Sequence, residues 1–131
     1  MTVFVDTSAL YALLDRDDAQ HSAARAAFPS LLENEELTTH SYVLVETVAL
    51  TQRRLGPDAV RALTQELLPV ITTVWVDEAA HAAGLAALLA AFPTEVSLVD
   101  HVSFHVMRTL GITRAFAFDG DFERAGFTTL P

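Results

Sequence analysis

The chain has 131 residues, 51% of them hydrophobic, which predicts one domain over residues 1–131 with a real core and argues against disorder. It contains no cysteine, so disulfides, zinc–thiolate sites and cysteine nucleophiles are excluded. Seventeen acids against eight basic residues, all arginine, give a net charge of −9, which disfavours docking on nucleic acid through a basic surface alone and points to a cation in a site, a basic protein partner, or both.

Thr2 to Val5 is a β-branched and aromatic run that reads as a buried strand. The stretch before Asp6 has no basic segment, and the longest apolar stretch, Ala82 to Phe92, is too short to cross a bilayer. The expectation is a protein without signal peptide or membrane span, compatible with the cytoplasm. A helix over Thr7 to Asp15 follows, then a polar break at Asp15 to Asp18. A second helix spans about Ala19 to Glu33, with Pro29 expected to bend or end it. Leu37 to Thr39 suggests a brief strand. Ser41 is the expected N-cap of a helix reaching Leu55, stopped by Gly56-Pro57, and Asp58 opens another that ends before Pro69. Val70 to Val76 reads as a strand with Trp75 in the core. Asp77-Glu78 starts an Ala/Leu-rich helix ending near Phe92-Pro93, and Ser97 caps a helix from Leu98 to Leu110, closed by Gly111. Ala115 to Phe118 is a third clear strand, and Phe127 to Leu130 suggests an edge strand. This alternation predicts an α/β sandwich with a mostly parallel sheet of four to five strands.

Most acids fall in polar breaks or at helix starts, where the macrodipole favours them. Four stand elsewhere. Asp6 and Asp119 follow apolar strands, and in an open α/β sheet ligands bind beyond the carboxyl ends of the strands. Glu46 lies in a helix that is apolar nearly all round, and Asp100 shares a helix face with Phe104 and Met107. Each has an ordinary alternative: Asp6 and Asp119 as N-caps, Asp100 as a first-turn acid, Glu46 as the partner of an arginine. Together they suggest one site. Two carboxylates about 5 Å apart repel by roughly 3 kcal/mol at an effective dielectric of about 20, so four either take up protons or bind a cation. All-oxygen ligands suit Mg²⁺ or Mn²⁺, and such an ion suits phosphodiester hydrolysis.

The segments Val3-Phe4-Val5-Asp6-Thr7-Ser8-Ala9-Leu10, Val43-Leu44-Val45-Glu46-Thr47, Ser97-Leu98-Val99-Asp100 with Ser103-Phe104, and Phe116-Ala117-Phe118-Asp119-Gly120-Asp121-Phe122 resemble, in order, the four motifs of the PIN-domain family. Within it they resemble the VapC-type toxins of toxin–antitoxin modules, over essentially the whole chain. The resemblance implies a PIN-like α/β/α sandwich and a Mg²⁺- or Mn²⁺-dependent endoribonuclease. Its metal ligands and catalytic acids would be Asp6, Glu46, Asp100 and Asp119. Thr7 or Ser8 would hold an acid or a metal-bound water by its hydroxyl. It further implies an RNA substrate, a homodimer, and a cognate antitoxin whose basic tail reaches the acidic site.

Several residues are open to more than one reading. Asp121 is either a supporting outer ligand or a helix-start acid, the latter preferred. His101 and His105 have zinc-like i, i+4 spacing without a third ligand and read as a solvated or dimer-facing pair. His21 reads as structural. Arg16, Arg53, Arg54, Arg108 and Arg124 are candidates to grip phosphate. A phosphoacceptor receiver domain is disfavoured by the lack of lysine, and a haloacid-dehalogenase-type phosphatase by Ser8 where a second Asp is needed. A non-catalytic PIN-fold interaction module and a housekeeping RNA-maturation nuclease remain as alternatives.

Overall fold

In the computed structural model, which describes all 131 residues, the apolar run Thr2–Val5 forms β1, the middle strand of a five-stranded sheet. Val3, Phe4 and Val5 are wholly buried, as a strand covered on both faces requires. The chain continues through α1 (Thr7–Leu14), α2 (His21–Asn34), β2 (Glu36–His40), α3 (Ser41–Leu55) and α4 (Pro57–Ala62). A π-helical turn (Leu63–Leu67) and a 3-10 turn (Leu68–Val70) lead into β3 (Thr72–Val74). Then come α5 (Glu78–Ala91), α6 (Leu98–Leu110), β4 (Arg114–Phe116), α7 (Asp121–Arg124) and β5 (Thr128–Leu130). The strand order is β3-β2-β1-β4-β5 and every pairing is parallel, so the expected mostly parallel sheet is wholly so.

Strands β1, β2 and β3 step outward in one direction, and the chain then crosses back past β1 to lay down β4 and β5. Right-handed crossovers put α1–α4 on one face of the sheet and α5–α6 on the other. Accordingly α1 packs on α2 and α3, and α5 on α6. The order reverses between β1 and β4, where a crevice opens at the carboxyl ends of the strands. Beneath it Phe4, Phe104 and Phe122 form a buried aromatic cluster, with ring centroids 6.1 Å (Phe4–Phe122) and 5.1 Å (Phe104–Phe122) apart.

Several elements depart from the sequence expectation for physical reasons. Pro29 lies inside α2 without ending it. The N-cap of α3 is His40, not Ser41: its Nδ1 accepts the N–H groups of Tyr42 and Val43. The helix after Gly56 begins at Pro57, not Asp58, and winds on through the π and 3-10 turns past Pro69 rather than stopping before it. The apolar run Val70 to Val76 contributes only three strand residues, and Trp75, expected in the core, is 72% exposed beyond the end of the edge strand. Strand β4 ends at Phe116, so Asp119 lies three residues past it rather than at its last position.

Candidate active site

The N–H of Asp6 donates to the carbonyl of Phe116 at 3.1 Å, so the ladder between β1 and β4 runs up to this acid. Its carboxylate caps α1: Oδ2 accepts the N–H of Ser8 at 3.1 Å and the Ser8 hydroxyl at 2.6 Å. Ser8 Oγ also accepts the N–H of Phe118 at 3.0 Å, which fixes the turn leading to Asp119. Of the two hydroxyls flagged by the sequence, Ser8 therefore holds an acid. Thr7 is bonded to Thr47 Oγ1 at 3.0 Å, tying α1 to α3 one residue from Glu46. The ordinary and functional readings of Asp6 coincide, since a capping carboxylate also reaches the crevice.

Asp6, Thr7, Ser8, Glu46, Asp100 and Asp119 line one open cavity of about 280 Å³, completed by Leu50 and Ser97. All four acids singled out in the sequence thus meet. Asp6 and Asp100 are buried, Glu46 and Asp119 half-buried. Asp121, preferred above as a helix-start acid, does begin α7, yet it offers an oxygen within 4.8 Å of oxygens of Asp100 and Asp119. Its other engagement is an ion pair with Arg124.

The carboxylates crowd one another. Burial, reinforced by Asp6, Asp119, Glu46 and Asp121, pushes Asp100 up to about 8. Burial also raises Asp6 to about 6, against the two hydrogen bonds from Ser8, with Glu46 and Asp119 adding to the rise. Such a cluster carries negative charge at neutral pH at considerable cost unless a cation enters. The donor set is all carboxylate oxygen, hard and flexible in denticity, which fits Mg²⁺ or Mn²⁺ and not a thiophilic metal.

Other candidates fall outside the cavity. His21 bonds the carbonyl of Ala12 at 2.7 Å and is structural, as expected. His105 lines a separate apolar groove beside Trp75, and His101 stands edge-on to Phe104. Arg54 lies over Tyr11, and Arg108 over Phe104 and Phe127. Of the five arginines considered, Arg124 alone pairs with an acid of the cluster. Sequence reasoning missed Thr39 and His40. Their only signal is that they end a strand beside the one ending in Asp6. Thr39 Oγ1 donates to the carbonyl of Val5 at 2.8 Å, gripping the peptide unit that leads into Asp6.

A parallel sheet with a carboxylate crevice at its order reversal defines a class, and the chain belongs to it: residues 3–128 match the PIN domain, and the protein is a member of that family. It is 39% identical over 126 residues, 95% of each chain, to the Mycobacterium tuberculosis protein named 23S rRNA-specific endonuclease VapC20, in two strains. The crystal structure of M. tuberculosis VapC20, described as a sarcin-ricin loop cleaving toxin, superposes with a TM-score of 0.87 at 37% identity, covering 96% of both chains. VapBC2 of Rickettsia felis, bound to a DNA fragment from its promoter, matches with a TM-score of 0.74 at 11% identity over 98% of this chain and 97% of its own. FitAcB of Neisseria gonorrhoeae matches with a TM-score of 0.73 at 16% identity over 100% and 97%. These last two share the fold. No helix is long and apolar enough to cross a membrane.

Proposed function

We propose that this protein is a Mg²⁺- or Mn²⁺-dependent endoribonuclease and the toxin of a toxin–antitoxin pair, with Asp6, Glu46, Asp100 and Asp119 as metal ligands. The observation that carries the reading is the convergence of four acids from four separate chain segments on one cavity, with two of them held far above their ordinary range. The relative named as a 23S rRNA-specific endonuclease, 39% identical over 95% of each chain, makes cleavage of RNA the activity to expect. These acids would hold a divalent cation, which when bound would supply a water of lowered pKa and neutralise charge on the leaving oxygen of a phosphodiester.

The protein's own side chains do the rest. Asp6 is anchored by Ser8 through its carboxylate and by the β1 ladder through its N–H. Asp100, whose burial and then its acidic neighbours favour its protonated form in the absence of a cation, is the acid whose protonation a bound cation would change most. Glu46 comes from the opposite helix, leaving the cavity open on the solvent side for an extended strand. Asp121, with an oxygen within 4.8 Å of oxygens of Asp100 and Asp119, supports the same ion.

An antitoxin with basic residues fits the −9 charge and the unpaired carboxylates. Self-association fits α5, which exposes Leu85 and Leu89 with Phe92 just past its end and, apart from Glu78 and His81, carries no titratable group. The relative's target makes 23S rRNA the first substrate to try. Purified protein is incubated with total RNA, with and without Mn²⁺, and the cut ends are mapped. Metal-dependent cleavage at discrete positions supports the reading, and intact RNA under all conditions rejects it in favour of a non-catalytic module.

A further inference from the structure

His40 is fully buried at the end of β2 and does not line the cavity, yet its two ring nitrogens face two helices that do carry site acids. Nδ1 accepts the N–H groups of Tyr42 at 3.1 Å and Val43 at 3.4 Å, so it bears no proton and serves as the cap of α3, the helix of Glu46. The proton therefore sits on Nε2, which donates to Ser103 Oγ at 2.8 Å. Ser103 in turn donates to the carbonyl of Val99 at 2.9 Å, the carbonyl of the peptide unit whose N–H belongs to Asp100. That N–H is held at 3.1 Å by Ser97 Oγ. The peptide unit bearing Asp100 is thus gripped at both ends, and one grip traces back to His40.

An ordinary capping residue does not account for this arrangement. Serine, aspartate or asparagine would satisfy the first N–H groups of α3 equally well, but none has a second polar atom that reaches α6. Burial holds the imidazole neutral down to about 4, so the tautomer that performs both tasks is the one present throughout the working pH range. Nor does the sheet do the job, because α3 and α6 pack on opposite faces of it.

We propose that His40 is a positioning residue for the metal site, using Ser103 to fix Asp100 on α6 relative to Glu46 on α3. The proposal rests on the carboxylate cavity being a metal site. Ligand-orienting partners of this kind typically change metal affinity by about 10- to 100-fold when removed.

The two nitrogens are separable by substitution. Asparagine places an acceptor where Nδ1 lies and keeps the cap, while glutamine places an amide nitrogen where Nε2 lies and keeps the reach to Ser103. Mn²⁺ binding is measured by calorimetry on the full chain, alongside thermal unfolding without metal, for His40→Asn, His40→Gln and Ser103→Ala. His40→Asn and Ser103→Ala should lose about 10-fold or more in Mn²⁺ affinity. His40→Gln should stay near the parent in affinity while melting lower than His40→Asn. A purely structural histidine would instead tie affinity to melting temperature across the set. If the parent binds Mn²⁺ and both His40→Asn and Ser103→Ala bind it equally well, the proposal is overturned alone, Ser103→Ala deciding the matter if His40→Asn fails to fold. A parent that takes up no Mn²⁺ overturns the metal reading and this proposal together.

Discussion

Asp6 and Phe116 are joined by a backbone hydrogen bond of 3.1 Å, the last rung between the first and fourth strands of the chain. Through that rung an acid near the N-terminus is delivered to the same crevice as one that follows β4 more than a hundred residues later. Once Asp6 is fixed in this way, its carboxylate has nowhere to relax from the charges of Glu46, Asp100 and Asp119, which is why the cluster behaves as a unit.

Replacing Asp6 or Asp100 with Asn should remove cleavage, with a drop of at least about 100-fold, while keeping the fold. The amide preserves shape and removes a crowded charge. At pH 8 without metal, Asp100→Asn should melt no lower than the parent; Mn²⁺ should raise the melting temperature of the parent, as an ion binding only the native state does, and should not raise that of Asp100→Asn. The measurements are cleavage of RNA and melting curves with and without Mn²⁺. Near-parental activity in either purified variant would remove that acid from the ligand set.

The metal-free protein should lose stability as pH rises from about 6.5 to about 8. Asp100 and Asp6, raised from 3.8 to about 8 and about 6, bind more protons folded than unfolded, and each withdraws stability as pH climbs from its unfolded to its folded value. His40, lowered from 6.5 to about 4, acts in the opposite sense, adding stability as pH rises between those values and offsetting Asp6 there. Asp15 and Glu35, held below their ordinary range by Tyr11 and by Arg114, act only in more acid solution. Above about 6.5 the Asp100 contribution is left unopposed. Melting in EDTA across this window should show the decline, and Mn²⁺ should reverse it most at the alkaline end. A flat or rising profile would mean that the acids are less crowded than their geometry indicates.

The four acids were legible because a carboxylate on an apolar strand or helix face violates local pattern, and that violation is visible in one dimension. The adjacency of β1 and β4 was not, since nothing in either run encodes its neighbour. It follows from the reversal in strand order. His40 was invisible for a related reason: its second partner, Ser103, is 63 residues away. Trp75 misled because a continuous β-branched run of Val, Ile and Thr reads as strand to its end, whereas the edge strand loses its pairing partner after Val74 and leaves the indole in solvent. Helix caps were read well at Asp77, Ser97 and Gly111, where the deciding contacts are local.

Ser8→Ala should lower both stability and activity. Its hydroxyl donates to Asp6 at 2.6 Å and accepts from Phe118 at 3.0 Å, so alanine leaves one carboxylate oxygen short of a donor and one N–H short of an acceptor. The expected cost is about 1–3 kcal/mol in unfolding free energy, with cleavage reduced about 10- to 100-fold by the loosened Asp6. Denaturant unfolding and initial rates at saturating Mn²⁺ test the two parts separately. Thr7→Val, which leaves the Asp6 bonds in place, should cost less activity than Ser8→Ala.

Gly84 in the otherwise Ala/Leu-rich α5 is a spacing residue. A Cβ there would stand 2.5 Å from Val102 Cγ2 and 3.2 Å from the Val102 backbone nitrogen on α6. Gly84→Ala gains about 1 kcal/mol of helix propensity but forces α5 away from the helix that carries Asp100, at a cost of about 1–3 kcal/mol for overpacking. The backbone contact cannot be relieved by a rotamer change, so the net effect should be destabilising and visible as a lower melting temperature. Gly84→Ala combined with Val102→Ala removes the side-chain part of the clash and should recover some of the loss. An unchanged melting temperature in the single variant would show that the two helices have room to part.

Arg124→Gln should weaken RNA binding without weakening metal binding. The guanidinium pairs with Asp121, lies against Gly120, where an added Cβ would come within 3.1 Å of Nη1, and so places a positive charge beside Asp119. As an exposed pair it contributes little to stability, but it offers substrate phosphate a cation in a chain that has only eight. Removing it deepens the negative potential of the cavity, so Mn²⁺ affinity should hold or rise, while RNA binding weakens. For a single-stranded RNA the slope of log binding constant against log salt should become shallower by about 0.7, the loss of one phosphate contact. Arg124→Lys should keep the slope and lose part of the affinity, because an ammonium keeps the charge without the planar two-point grip on phosphate. RNA binding at several salt concentrations, compared in an Asp100→Asn background expected to be inactive, reads the RNA effect without cleavage, and Mn²⁺ affinity is read by calorimetry on Arg124→Gln alone. An unaltered slope in Arg124→Gln would mean that the phosphate is held by backbone N–H groups and the metal alone.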